Sequence, residues 1–158
     1  MQTIMLDENI TPRDWQVWDG TVPLAKRPLI LSAEQFLAHR EAVQDHEGPL
    51  ALHITPATDL KDLQGMFAHC TMIMLDFPAF SDGRAYSQAR QLRGRWQFKG
   101  ELRASGNILR DQIGFMRRVG IGSLVCEDPR TIAHWQESDA AISVSYQRGA
   151  VAANLATR

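Results

Sequence analysis

Arg84, Arg103 and Arg110 stand close to the turn residues Ser81, Gly83, Gly106 and Asn107 in the stretch LDFPAFSDGRAYSQARQLRGRWQFKGELRASGNILRDQ, residues 75–112. These are residue types that bind anions. Turn glycines and short polar residues expose backbone N–H groups at helix starts, where the helix field also favours negative charge. Guanidinium groups add forked donors that match a phosphate, a carboxylate or a sulfur oxyanion. Asp76 follows an apolar run and Asp82 opens the next turn, so both are candidate acids or bases. Tyr86 and Gln112 are further polar contacts, each on a helix where solvent exposure or capping accounts for it as well. A plainer reading uses the same residues. Ser81, Asp82 and Asn107 cap helices, Gly83 and Gly106 turn the chain, and Arg84 and Arg103 pair with Asp76, Asp82 or Asp111.

Other chemistries lack their residues. The histidines, His39, His46, His53, His69 and His134, show neither HExxH nor a paired ligand spacing. His53, inside an apolar run, reads as a satisfied, partly buried histidine and not as a catalyst. Cys70 and Cys126 form no CxxC and cannot hold an ordinary iron–sulfur cluster; they read as reduced, buried thiols. No GxGxxG, GxxxxGK[ST] or GxSxG occurs. No cofactor and no metal site is therefore expected. The net charge of -1 gives no reason to expect nucleic acid. No apolar run approaches the roughly 20 residues of a membrane helix, and the N-terminus has no export layout, so a cytoplasmic protein is expected.

The elements that position these residues follow from periodicity. Residues 4–6 and 13–18 read as an N-terminal β-hairpin, with Trp15 and Val17 on one face and Pro12 confining it to an edge. Residues 28–31, 50–54, 72–75, 101–104 and 123–126 read as short strands, and 141–146 as a last one. Helices are expected over 33–45, capped by Ser32 with Gln35, from Thr58 or Asp59 to 69, and over 84–96, 108–119 and 129–138. Asp128 before Pro129 is a helix start. The alternation predicts an α/β fold: an open, mainly parallel sheet of four or five strands with helices on its faces, plus the hairpin. A barrel fragment that closes as a homodimer is the alternative, because a full eight-strand barrel takes about 250 residues. One domain over 1–148 and a flexible tail over 149–158 are expected. In such sheets ligands gather at the carboxyl ends of the strands, here after residues 76, 103–107 and 126–128.

DFPAFSDGRAYSQARQLR and GELRASGNILRDQIGFMRRVGI resemble the signature of a bacterial family, Domain of Unknown Function 934. The likeness extends to Asp14-Trp15, PLILSAEQFLAHREA and SVSYQ, and so covers most of the chain. The family's recurrent polar positions fall on Asp82, Gly83, Arg84, Tyr86, Ser87, Gln88, Arg90, Arg103, Gly106, Arg110, Asp111 and Gln112. Three positions depart from the pattern: Ala79 for a common lysine, Asn107 for a common aspartate and Val119 for a frequent cysteine. The resemblance implies a link to sulfite reduction, since family members carry the label of an oxidoreductase in that process. The residues show no electron carrier. The expectation is therefore an accessory protein of assimilatory sulfite reduction, with an anion site and with sulfite reductase or another sulfur-assimilation enzyme as partner. An enzyme acting on a small anion, with Asp76 or Asp82 as acid or base, and a pure protein-interaction module are the alternatives.

Overall fold

The computed structural model of the chain describes residues 3–6, 13–21, 24 and 26–141. Seven strands form one sheet: β1 (Thr3–Leu6), β2 (Gln16–Val17), β3 (Leu29–Ser32), β4 (Leu50–Ile54), β5 (Met72–Phe77), β6 (Glu101–Gly106) and β7 (Ser123–Cys126). Their spatial order is β1-β7-β6-β5-β4-β3-β2. Strands β2 to β7 run parallel, and only β1 is antiparallel, against β7. The expected class is present, with more strands than the four or five expected.

The N-terminal hairpin is not formed. Its first segment pairs with β7 and its second with β3, at opposite ends of the sheet order. The physical reason is that an isolated two-stranded ribbon is marginal, while a parallel sheet exposes an unpaired row of N–H and C=O groups at each edge. Each segment satisfies one edge. Alternation identified them as strands but carried no information about the partner.

From β2 to β7 the strands lie side by side in chain order. Right-handed crossovers that always step in one direction place every connection on the same face. The burial pattern agrees. Leu29, Leu31, Leu52, Ile54, Ile73, Leu75, Phe77, Leu102, Ala104 and Leu124 occupy one set of alternate positions. They form a continuous core with Phe36, Val43, Ala85, Ala89, Leu92, Ile113, Met116 and Trp135 from the helices. Ala51 and Met72, on the opposite face, are buried but lie outside that core. The expected helices on both faces are thus a single helical layer, and the sheet curls around its uncovered side like part of a barrel.

The helices are α1 (Ala33–Ala38), α2 (Arg40–Gln44), α3 (Arg84–Gly94), α4 (Ile113–Arg118) and α5 (Pro129–Ala141). The Ser32–Gln35 capping box forms as expected. The helix read over 33–45 breaks at His39 (φ -122°, ψ 39°), whose ring meets Trp18 edge-on at 4.9 Å. The helix read up to 69 becomes two 3-10 turns, Leu60–Leu63 and Phe67–His69. Gly65 between them takes φ +88°, which a right-handed helix does not accommodate. The helix read from 108 starts as a 3-10 turn, Arg110–Gln112, before α4. Asp128 starts α5 by accepting from Arg130 N (3.0 Å) and Thr131 Oγ1 (3.1 Å). Ala141 is the last described residue and lies in α5; the rest of the last expected strand and the C-terminal tail lie outside the described residues. No helix among the described residues is long and apolar enough to cross a membrane.

Candidate functional site on the uncovered face

Side chains on alternate positions share a face, so the strand register sorts the uncovered side into tiers. Val17, Ile30, Ala51, Met72 and Glu101 make the lowest tier. Ser32, His53, Met74, Arg103 and Ser123 make the middle one, and Asp76 and Ser105 belong to the third. These tiers bound an open cleft of about 1180 Å³. Trp15 and Val17 wall one side and Val125 and Glu127 the other, with His53, Met74, Arg103 and Ser105 between them. Glu34, Asn107 and Asp128 stand where the chain leaves β3, β6 and β7, so the cleft opens at the carboxyl ends of the strands.

The cleft floor is polar where a sheet floor is ordinarily apolar. Arg103 is only 2% exposed. Its Nε donates to Glu101 Oε1 (2.8 Å) and to Ser123 Oγ (3.2 Å), and a second guanidinium nitrogen lies 2.7 Å from Glu101 Oε1. The Ser123 hydroxyl also donates to Glu101. Three adjacent strand positions therefore neutralise one another, which is how a charged pair survives burial. Arg103 still lines the cleft.

Gly106 closes the top of β6 at φ +101°. A Cβ there would lie 2.5 Å from Phe77 O and 2.9 Å from Asp76 Oδ1. The bare backbone lets β5 and β6 stay in contact to their ends, where Asn107 N donates to Phe77 O (2.7 Å). Asp76 is thus held against the Gly106 turn and is not among the cleft-lining residues.

The residues singled out from the sequence divide into separate groups. Arg103, Gly106 and Asn107 line the cleft. Asp82 and Arg84 bind each other: Arg84 Nε and Nη2 donate to the carboxylate at 3.0 and 2.7 Å, and Arg84 N donates at 3.1 Å. These contacts hold the Asp82 carboxyl below its usual range and raise the Arg84 guanidinium. Ser81 and Gly83 are exposed on the same turn, away from the cleft lining. Arg110 is exposed and lies 3.7 Å from Asp111. The three arginines therefore do not converge on one pocket: Arg84 takes the pairing alternative with Asp82, Arg103 pairs with Glu101 and not with Asp76, Asp82 or Asp111, and Arg110 lies beside Asp111.

The remaining signature residues lie on α3 and beside α4. Gln88 is buried, and its Nε2 donates to Thr55 O (2.9 Å) and Thr58 O (3.1 Å), fastening α3 to the loop after β4. Tyr86 packs edge-on between Phe77 (5.0 Å) and Phe115 (4.8 Å); burial raises its hydroxyl and a hydrogen bond with Gln112 opposes the rise. Arg90 lies over Phe115 at 5.3 Å.

Sequence reasoning passed over His53, Ser105, Trp15 and Glu34. A signal for two of them was available. His53 and Ser105 are polar residues inside otherwise apolar strands, and they fall on the same parity as Ser32, Arg103 and Ser123. His53 is half-buried, as expected, and its position is on the open face.

Cys70 and Cys126 are free, and burial pushes the Cys70 thiol up to about 12. Its Sγ donates to Met66 O (3.4 Å). At pH 8 the native protein is expected to leave Cys70 unlabelled by a thiol-reactive disulfide reagent and to release it on unfolding. Rapid native labelling mapped to Cys70 would show that the thiol is not held in this way. Among the described residues no three His, Cys, Asp or Glu side chains are grouped to hold a metal ion.

No curated protein matches the chain. The model of a bacterial protein family of unknown function, DUF934, matches residues 51–156, which hold β4 from its second residue through β7 and with them the buried Arg103 floor and the Gly106 turn. The chain belongs to this family.

Proposed function

We propose that the protein is a small-molecule-binding module that holds an anionic ligand in the concave cleft and serves sulfite reduction in the cytoplasm as an accessory component. The observation that carries the binding reading is the buried Arg103 on the cleft floor, on the same tier as His53 and one tier below Ser105. A guanidinium shielded from bulk water interacts more strongly with an oxyanion than one on the surface. The hydroxyl of Ser105 and the imidazole of His53 add directional partners. Trp15, Val17, Ile30 and Met74 supply an apolar wall, the usual make-up of a ligand cleft. The assignment to sulfite reduction, and a sulfur-assimilation enzyme as partner, rest on the family resemblance alone.

A thermal-shift panel of sulfite, sulfate, phosphate and small carboxylates tests the reading. One of them is expected to raise the Tm of the wild type, with apparent affinity at least about tenfold weaker in Arg103→Lys and His53→Ala. Arg84→Ala and Arg110→Ala, outside the cleft, are expected to keep the full response. If no anion shifts the wild type, or if only Arg84→Ala abolishes the shift, the cleft is not the anion site. An absorbance spectrum showing a bound flavin or haem would overturn the accessory role.

A further inference from the structure

Beside the cleft mouth the protein exposes three large apolar side chains: Phe80 (64%), Leu109 (43%) and Phe115 (37%). They belong to one surface. Gln112 joins them, donating from Nε2 to Phe80 O (3.5 Å) and accepting from Leu109 N (2.9 Å) at Oε1. Phe115 continues the surface through Tyr86 at 4.8 Å. Phe80 follows β5 and Leu109 follows β6, so the surface adjoins Asn107 and Ile108 on the cleft rim.

Its charge is lopsided. Arg90 lies on Phe115 and has no acidic partner among the described residues. Arg118 is exposed one turn along α4 from Phe115. Arg110 has Asp111 at 3.7 Å, a loose pair. Three arginines thus face one aspartate, in a chain whose net charge is -1. Aromatic anchors bordered by arginine are the composition of protein-binding hot spots.

We infer that the Phe80–Leu109–Phe115 surface docks a partner protein that presents an apolar side chain flanked by carboxylates. A second copy is disfavoured, because an isologous contact would set these arginines against one another. Nucleic acid is disfavoured by the aliphatic centre at Leu109 and by the small number of cations, since phosphate backbones are bound through many.

The test places a photo-crosslinking benzoylphenylalanine at position 109 of the full chain in cells that make it natively, with adducts mapped by mass spectrometry. The expected adduct joins position 109 to a protein segment with Asp or Glu on both sides of an apolar residue. It disappears when Arg90→Glu and Arg110→Glu are introduced together. For the purified pair, that double reversal lowers affinity at least about tenfold, and added salt weakens binding. Circular dichroism melts matching the wild type show that the reversed variant folds. A nucleic-acid adduct, a self-adduct, an adduct that survives charge reversal, or none at all overturns the inference. The reversed variant keeps the anion-induced thermal shift, so failure here and failure of the cleft reading are distinguishable.

Discussion

Arg103→Met is expected to destabilise the protein by about 3–5 kcal/mol, because it strands a buried carboxylate. Arg103 and Glu101 have side chains only 3% and 6% exposed, and their shared partner Ser123 is fully buried. Once the guanidinium is gone, Glu101 keeps only the Ser123 hydroxyl, and its charge faces the floor of the sheet. Glu101→Leu is expected to cost a comparable amount, since it leaves the guanidinium with a hydroxyl alone. The double variant is expected to lose less than either single change, because an apolar pair needs no compensation. Urea unfolding followed by tryptophan fluorescence measures all three. Single-variant losses below about 1 kcal/mol, or simple additivity, would show that the pair does not hold the floor together. An apolar pair could in principle fill the same space. That a charged pair is present, with one member lining the cleft, is what connects this stability term to the proposed anion binding.

Gly106→Ala is expected to cost about 2–3 kcal/mol and to lower the Tm by roughly 5–10 °C. Two effects add. The backbone sits at φ +101°, a region that side-chain-bearing residues rarely adopt, and the new methyl would meet the Phe77 carbonyl at 2.5 Å. That carbonyl accepts from Asn107 N and cannot move without loosening the end of β5. Gly114→Ala is the control. A Cβ at Gly114, in α4, meets nothing within 4 Å, and the change is expected to be neutral or stabilising by up to about 1 kcal/mol. Equal melting temperatures for wild type and Gly106→Ala would mean that the β5–β6 contact relaxes at no cost. Because Gly106 also lines the cleft, a variant that folds should bind the thermal-shift anion more weakly.

The uncovered face follows from winding direction. A sheet whose strand order reverses midway receives helices on both sides and leaves its crevice at the reversal. Here the order runs one way from β2 to β7, so the crossovers share one side and the other becomes the concave wall. Parallel sheets are ordinarily covered on both faces. This one leaves a face whose middle tier is polar at every position but Met74 and whose lowest tier is apolar up to Glu101.

Local chemistry was legible in the sequence. The parallel strands from β3 to β7, the Ser32–Gln35 box, the Asp128 cap before Pro129 and the glycine turns all follow from periodicity and from short-range hydrogen bonds, which a chain carries in its own order. Even the plain pairing of Asp82 with Arg84 is a contact between residues two apart. Partner choice was not legible. That residues 4–6 and 13–18 leave each other for opposite edges depends on free backbone groups at places set by the whole sheet. That Arg103 turns to Glu101 and Ser123, while Arg84 and Arg110 stay outside, depends on which strand lies beside which. The sequence by itself determined the elements, the caps and a dense polar stretch over residues 75–112. Only the tertiary structure decided that this stretch serves two surfaces, a cleft and an outer aromatic face. The physical reason is that alternation assigns a side chain to one of two faces, while the order and curl of the sheet determine what each face becomes.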